Sequence, residues 1–188
     1  MRSYKLLALI GMALLVAGCG RGVPVPPNQT DPAALEGDAH AFLEAMKPRR
    51  PGKPVVAVLA RNEATETTDF LVTHAVLQRS EVAEVHAVAP RPGLVSLYPV
   101  FRVEVAQDLA GSDRTHPGGA DYVVVPAMLF EESQDPAVTT WLRHQAERGA
   151  RIVGICAGAL VVGSAGLLDG RRFTTNWHFR TTVHHRHP

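Results

Sequence analysis

The sequence has few cysteines, few aromatic residues and almost no excess of charge. Two of its 188 residues are cysteines, Cys19 and Cys156, too few for a disulfide framework, so the core must be held by apolar burial. Aromatic residues make up 6%, which gives no sign of a stacking platform for a sugar or a base. The formal net charge is +1, which argues against a nucleic acid partner. A hydrophobic content of 46% is typical of an ordinary globular domain.

The N-terminus has the pattern of a targeting signal. Arg2 and Lys5 precede an apolar run over residues 6–16, which is short for a membrane span. The run ends in Val16-Ala17-Gly18-Cys19, which resembles a bacterial lipoprotein signal. This resemblance implies a signal peptide over residues 1–18, lipidation of Cys19 and an exported protein held at a membrane surface by acyl chains. An uncleaved anchor helix and a plain signal peptide remain open as alternatives.

Residues 19–53 are predicted to form a proline-rich tether. Seven prolines fall from Gly20 through Pro54, and this density favours an extended spacer over a packed element. A short helix is predicted to interrupt it. Asp31 and Pro32 would supply its N-cap and first turn. Its apolar stripe would consist of Leu35, Phe42, Leu43 and Met46.

From Pro54 onward, apolar strands alternate with helices. Strands are predicted over residues 55–60, 85–89, 101–105, 122–125 and 151–155, and helices over 68–79 and 135–149. Continuous β-branched runs such as 55–60 are typical of strands buried on both faces of a parallel sheet. The order predicts one α/β domain over 54–188, a doubly wound, mostly parallel sheet in a three-layer, flavodoxin-like sandwich. Ligands of such folds bind beyond the carboxyl ends of the strands.

The segment with the clearest chemistry is Gly154-Ile155-Cys156-Ala157-Gly158. A strand that runs into Gly-x-Cys-x-Gly and then a helix of small residues predicts a nucleophile elbow with a sulfur nucleophile. A helix N-terminus favours a thiolate, so Cys156 is the candidate nucleophile. The Ala157 amide is a candidate oxyanion donor. The alternative is a buried structural cysteine.

Several segments together resemble the DJ-1/PfpI family of the class I glutamine amidotransferase-like superfamily. They are residues 121–126, the elbow region 149–159, and Ala165-Gly166-Leu167-Leu168-Asp169-Gly170-Arg171-Arg172 with the pair Thr174-Thr175. The last of these most resembles the amidotransferase-like domain often fused to AraC-type regulators, although no helix-turn-helix follows here. Relatives continue beyond the His187-Pro188 equivalent, so the resemblance implies a domain that lacks its C-terminal elements. An unfinished sheet exposes an edge, which favours a homodimer.

The resemblance also implies partners for the cysteine. An acidic residue after the first strand hydrogen-bonds it in the family, which points to Asp69, with Glu66 one turn earlier as the alternative. A second oxyanion donor comes from the loop after strand 122–125, where the amide of Ala127 would serve.

The chain departs from the family pattern at the expected base. Ala157 follows the cysteine where the peptidase-like branch has His, and Asn176-Trp177-His178 stands where relatives commonly have His-Trp. His178, on a strand, is the nearest substitute base, and a surface histidine is the alternative. The tail histidines lack acidic or sulfur companions at regular spacing, so neither a metal site nor a cofactor is expected. They are His178, His184, His185 and His187.

Two functions are compatible with these residues. The first is an exported cysteine-dependent enzyme, with hydrolase, lyase or glyoxalase-like, or redox chemistry on a small electrophile. The second is a non-catalytic ligand-sensing or interaction module, a degenerate amidotransferase-like domain that keeps the cavity without turnover. A saturable reaction lost in Cys156→Ala would distinguish the first from the second.

Overall fold

The computed structural model describes residues 32–63, 65–128 and 135–187. Cys19, the signal-like segment and the beginning of the expected tether lie outside the described residues. The chain divides into two units, Met1–Ala45 and Met46–Pro188. The described part of the first unit is one helix, α1 (Pro32–Ala45), as the Asp31-Pro32 start predicts; its Phe42 and Leu43 are exposed rather than buried. None of the helices in the described ranges is long and apolar enough to cross a membrane.

The second unit alternates strands and helices along the chain. Its elements are β1 (Val55–Leu59), β2 (Thr65–Glu66), α2 (Thr67–Ser80), β3 (Glu84–Val88), β4 (Gly93–Tyr98), β5 (Phe101–Val105), α3 (Leu109–Thr115), β6 (Tyr122–Val125), α4 (Pro136–Glu147), β7 (Arg151–Gly154), α5 (Gly158–Ser164), a 3-10 turn (Trp177–Phe179) and α6 (Arg180–Arg186). Four of these strands form a parallel sheet in the order β3-β1-β6-β7. The predicted mostly parallel α/β sheet with flanking helices is confirmed.

The continuous apolar runs are explained by burial on both faces of this sheet. Because side chains alternate along a strand, Val56 and Val58 of β1 pack with Phe70 of α2 on one face. Leu59 packs with Trp141 of α4 on the other face. The sheet and the helices on its two faces form three layers. The carboxyl ends of the parallel strands β1, β6 and β7 meet at one edge of the sheet, where the elbow lies.

A second, three-stranded sheet lies in the order β2-β4-β5. The sequence predicts only the strand over 101–105, and the structure pairs it antiparallel with β4, with Leu97 opposite Phe101. The strand that the sequence analysis did not predict, β4, has side chains that alternate between buried and exposed, since Val95 and Leu97 are buried while Leu94 is exposed. That pattern is short, and prolines at positions 92 and 99 bracket it, which weakens the sequence signal for a strand.

The helices begin and end close to their predicted bounds. Asp135 caps α4 by accepting from the Ala137 amide at 3.0 Å, and Gly149, at φ 85°, follows its end. The buried apolar face of α2 is narrow. Phe70 is buried, but Val76 is 61% exposed.

The segment before β1 belongs to the folded unit rather than to a spacer. Arg50 donates to both carboxylate oxygens of Asp121, at 3.2 and 3.1 Å, and Arg49 donates to the Ala120 carbonyl at 3.0 Å. The Tyr122 hydroxyl donates to the Met46 carbonyl. Burial raises the pKa of Asp121, but hydrogen bonds from Arg50 and Val55 outweigh it and hold that pKa below its usual value. The unit therefore begins at Met46, inside the tether expected over 19–53.

Candidate functional site

The turn after β7 has the geometry of a nucleophile elbow. Cys156 has a φ of 55°, a conformation that costs a non-glycine residue free energy and persists only where the surroundings enforce it. A Cβ at position 158 would lie 2.0 Å from the Val125 carbonyl oxygen, so only glycine fits there. Cys156 is exposed. The alternative of a buried structural cysteine is therefore wrong.

Hydrogen bonds from residues 175 and 176 hold the elbow. The Cys156 carbonyl accepts from the Thr175 hydroxyl at 3.1 Å and from the Asn176 amide at 3.2 Å. The Asn176 side chain donates through Nδ2 to the Cys156 Sγ at 3.3 Å. Its Oδ1 accepts from the His178 amide at 2.9 Å, which sets the orientation of the carboxamide. In the sequence, Asn176 is notable only as a departure from the His-Trp that relatives commonly have. Its contact with the Cys156 sulfur is evident only from the structure.

A cavity of about 410 Å³ opens beside Cys156. Its walls are mostly apolar, and Glu66 and Arg186 supply charged groups; other lining residues include Met128, Leu160 and Phe179. The helix α6 closes one side, where its fully buried Val183 packs against Leu160. Such a volume suits a small organic molecule.

The structure separates the two acids expected near the cysteine. Glu66 lines the cavity, and its Oε2 accepts from the Asp69 amide and the Thr68 hydroxyl, each at 2.7 Å. Asp69 is absent from the cavity lining and accepts from the Ala127 amide at 3.0 Å. Glu66 is the extended N-cap residue of α2, whereas Asp69 lies in the first turn of that helix. Glu66, the alternative, is therefore the carboxyl that faces the cavity beside Cys156.

The electrostatics of Asp69 reflect its contact with the loop after β6. Burial raises the pKa of Asp69, the hydrogen bond from Ala127 opposes that rise, and the charge of Glu66 adds to it. The net direction is upward. Asp69 thus acts on the site through Ala127 rather than by touching the sulfur.

The two expected oxyanion donors differ. The Ala127 amide donates to Asp69 and its carbonyl accepts from the Glu66 amide at 2.7 Å, so in this arrangement Ala127 has no amide hydrogen to offer. Ala157 lines the cavity at the start of α5. Within the described part of the chain, its amide has no acceptor. The oxyanion role therefore fits Ala157 and does not fit Ala127.

His178 does not reach the cysteine. Residues 177–179 form a 3-10 turn instead of the expected strand, and the exposed His178 ring lies 5.5 Å from the Trp177 ring and 5.0 Å from the Phe179 ring. It is a surface histidine here. Of the other tail histidines, His187 lies 3.0 Å from Asp169. Across the described ranges, no group of His, Cys, Asp and Glu is arranged to hold a metal ion.

The fold and the site together define the class of this protein. It is an α/β sandwich that carries a cysteine at a strand-to-helix nucleophile elbow. The model of the DJ-1/PfpI family matches residues 54–187. The chain belongs to the DJ-1/PfpI family.

Curated relatives match short parts of the chain. An isonitrile hydratase of Pseudomonas putida is 43% identical over 61 residues, which are 32% of this chain and 24% of that protein. The HTH-type transcriptional regulator CdhR of Pseudomonas aeruginosa is 48% identical over 42 residues, 22% of this chain and 12% of that protein. An uncharacterized protein of Streptomyces lividans is 43% identical over 53 residues, 28% of this chain and 38% of that protein. The matches thus cover well under two thirds of each relative.

Solved structures share the fold over most of the chain. A DJ-1 superfamily protein of Salmonella typhimurium is 26% identical with a TM-score of 0.58, covering 69% of this chain and 70% of its own. The oxidized DJ-1 of Toxoplasma gondii is 21% identical with a TM-score of 0.60, covering 72% and 71%. These likenesses agree with the mostly parallel sandwich described above.

Proposed function

We propose that this protein is an exported, lipid-anchored enzyme whose Cys156 sulfur attacks a small electrophile. The observation that carries the proposal is the elbow itself, an exposed cysteine at φ 55° beside a cavity of about 410 Å³. Membership of the DJ-1/PfpI family and the partial similarity to an isonitrile hydratase support chemistry of the hydrolase or lyase type. Redox chemistry at the same sulfur is a variant of this proposal.

The arrangement suits addition of water to the carbon–nitrogen triple bond of a nitrile. The Cys156 thiolate attacks the carbon and forms a C–S bond, while an electron pair of the multiple bond moves to nitrogen. Glu66, which takes up the proton of the Cys156 thiol, passes it to that nitrogen, and the Ala157 amide stabilises negative charge on the adduct. Water then adds at the same carbon and its protons pass through Glu66. The C–S bond breaks with its electron pair returning to sulfur, so the net change is the addition of one water.

Turnover of small electrophiles by the full chain tests this activity. A panel of nitriles, isonitriles, amides and glyoxals should contain a substrate whose saturable conversion is lost in Cys156→Ala. Thr174→Val is a control that should retain most of the activity, because Thr174 is exposed and its side chain makes no hydrogen bond to the elbow within the described residues. A folded wild-type chain that converts no member of the panel would contradict the enzyme proposal.

The anchored location rests on the signal pattern that ends at Cys19. In a bacterial host, labelled palmitate should enter the wild-type chain and Cys156→Ala, but not Cys19→Ala. A wild-type chain without label would contradict lipidation. The homodimer expected from an exposed sheet edge stays a prediction, and sedimentation velocity of the full chain tests it.

A second candidate function is a ligand-sensing module without turnover. The position of His178 outside the cavity favours it, because the expected imidazole base is then missing from the site. The partial similarity to the regulator CdhR also favours it. Small-molecule binding that survives Cys156→Ala, with no product formed by the wild-type chain, would support this function over the first.

A further inference from the structure

We propose that Asn176 is a positioning residue that holds the Cys156 sulfur in its anionic form and takes no part in proton transfer. The protons of the reaction then pass through Glu66 and not through an imidazole. This inference deepens the proposed function and rests on it.

The orientation of the Asn176 carboxamide carries the first part of the argument. Its Oδ1 accepts from the His178 amide at 2.9 Å, so its Nδ2 is the end that meets the Cys156 Sγ, at 3.3 Å. A hydrogen bond donated to the charged form of a group favours that form. The Asn176 amide also donates to the Cys156 carbonyl at 3.2 Å. Side chain and backbone of one residue thus hold both the sulfur and the turn that carries it.

The chemistry of a carboxamide carries the second part. The NH2 group of asparagine donates hydrogen bonds but does not exchange its proton state in the range where proteins work. Asn176 can therefore stabilise a thiolate but cannot accept the proton of a thiol or deliver one to a leaving group. An imidazole in the same place could do both.

The lining of the cavity carries the third part. Among the described residues, no histidine lines it, and Glu66 is its one carboxyl group. Arg186 also lines it, and arginine is not deprotonated in proteins. His178 directs its ring toward Trp177 and Phe179. Glu66 is therefore the group in the best place to exchange protons with a bound molecule.

Three variants separate the thiolate role of Asn176 from its structural role. Asn176→Asp keeps the size of the side chain and an oxygen for the His178 amide, but it sets a carboxylate beside the sulfur. Asn176→Ala removes both contacts. Thr174→Val is the control, because Thr174 is exposed and its side chain makes no hydrogen bond to the elbow within the described residues.

The measurement is the rate of Cys156 alkylation by iodoacetamide against pH in the full chain, followed on the Cys156 peptide by mass spectrometry. Both Asn176 variants should react about tenfold more slowly than wild type at pH 7, since a hydrogen bond to a charged group is worth at least that factor. Thr174→Val should react at nearly the wild-type rate, and Asn176→Asp should melt within a few degrees of wild type. Asn176→Asp that reacts like wild type at every pH would overturn the proposal.

A fourth variant tests the exclusion of an imidazole. Asn176→His should add an inflection between about pH 6 and 7 to the alkylation profile, where histidine ordinarily titrates. An inflection there in the wild-type profile that disappears in His178→Gln would overturn the inference.

Alkylation that responds as expected, with no electrophile turned over, would leave the role of Asn176 intact and count against the enzyme proposal alone. Turnover that does not change in Asn176→Asp would count against the inference alone.

Discussion

The carboxylate of Asp69 accepts a hydrogen bond from the backbone amide of Ala127 at 3.0 Å. This contact joins the first turn of α2 to the loop after β6, which forms one side of the cavity. Ala127 is held from its other side too, since its carbonyl accepts from the Glu66 amide. Residues 66 and 69 therefore shape the cavity together, one from inside it and one through the loop.

Asp69→Asn should be as stable as wild type near pH 4 and more stable at pH 7. It keeps an oxygen for the Ala127 amide but removes the charge. Because burial raises the pKa of Asp69 above its ordinary value of 3.8, the stability that Asp69 contributes is complete below that value and is lost as pH rises through the folded-state pKa. Urea unfolding of both chains at the two pH values measures the difference. Asp69→Ala, which also loses the bond to Ala127, should be less stable than Asp69→Asn at both. A free energy of unfolding that rises in wild type relative to Asp69→Asn between pH 4 and pH 7 would contradict this account.

Cys156→Gly should unfold at higher denaturant than Cys156→Ala. The φ of 55° at this position costs little for glycine but is unfavourable for alanine, and the difference should be about 1 kcal/mol. Glu81, which follows α2 at φ 57° and is exposed, is a matched control, so Glu81→Gly should likewise exceed Glu81→Ala. If glycine exceeds alanine at position 81 but not at 156, the elbow is not strained in solution.

Arg50→Ala should lower the free energy of unfolding by about 1–2 kcal/mol, because the buried Asp121 loses a two-point partner whose own side chain is partly exposed. Lys53→Ala, at an exposed position of the same segment, should change it by less than about 0.5 kcal/mol. Since the pKa of Asp121 is held below its usual value, its stabilising contribution is present at neutral pH and is lost as pH falls through the folded-state pKa. Chemical denaturation at pH 7 and pH 3 measures both effects. If Arg50→Ala and wild type are equally stable at pH 7, the segment before β1 does not contribute to the stability of the folded unit and behaves as a spacer.

His86 should make the fold less stable in mild acid. Burial, with the nearby charges of His116 and His74, lowers the pKa of His86 to about 4. A lowered histidine pKa means that the unfolded chain takes up the proton first, so stability is complete above about 6.5 and falls as pH drops toward 4. His86→Gln should reduce that loss by about 1–2 kcal/mol after allowance for solvent screening. Thermal melts at pH 7 and pH 4.5 test this, and parallel losses in the two chains would contradict it.

Several features of the molecule were predictable from local patterns alone. The apolar β-branched run at β1 predicts a strand buried on two faces, and Asp135 with Pro136 predicts the start of α4. The glycines on either side of Cys156 predict the elbow, because a tight strand-to-helix turn leaves no room for a Cβ on the residues that flank its central side chain. Such signals come from residues a few positions apart, so they hold whatever the rest of the chain does.

The partners of the cysteine could not be derived in this way. Asn176 lies 20 positions from Cys156 in the chain, and Asp69 lies 58 positions from Ala127. Whether Glu66 or Asp69 faces the cavity depends on how α2 docks on the sheet. His178 lies outside the cavity because its segment is a 3-10 turn and not the expected strand. Backbone periodicity and steric room are properties of neighbouring residues. The groups that meet a reactive sulfur are instead selected by packing between distant segments, and that is why the elbow was evident from the residues while its hydrogen-bond partner was not.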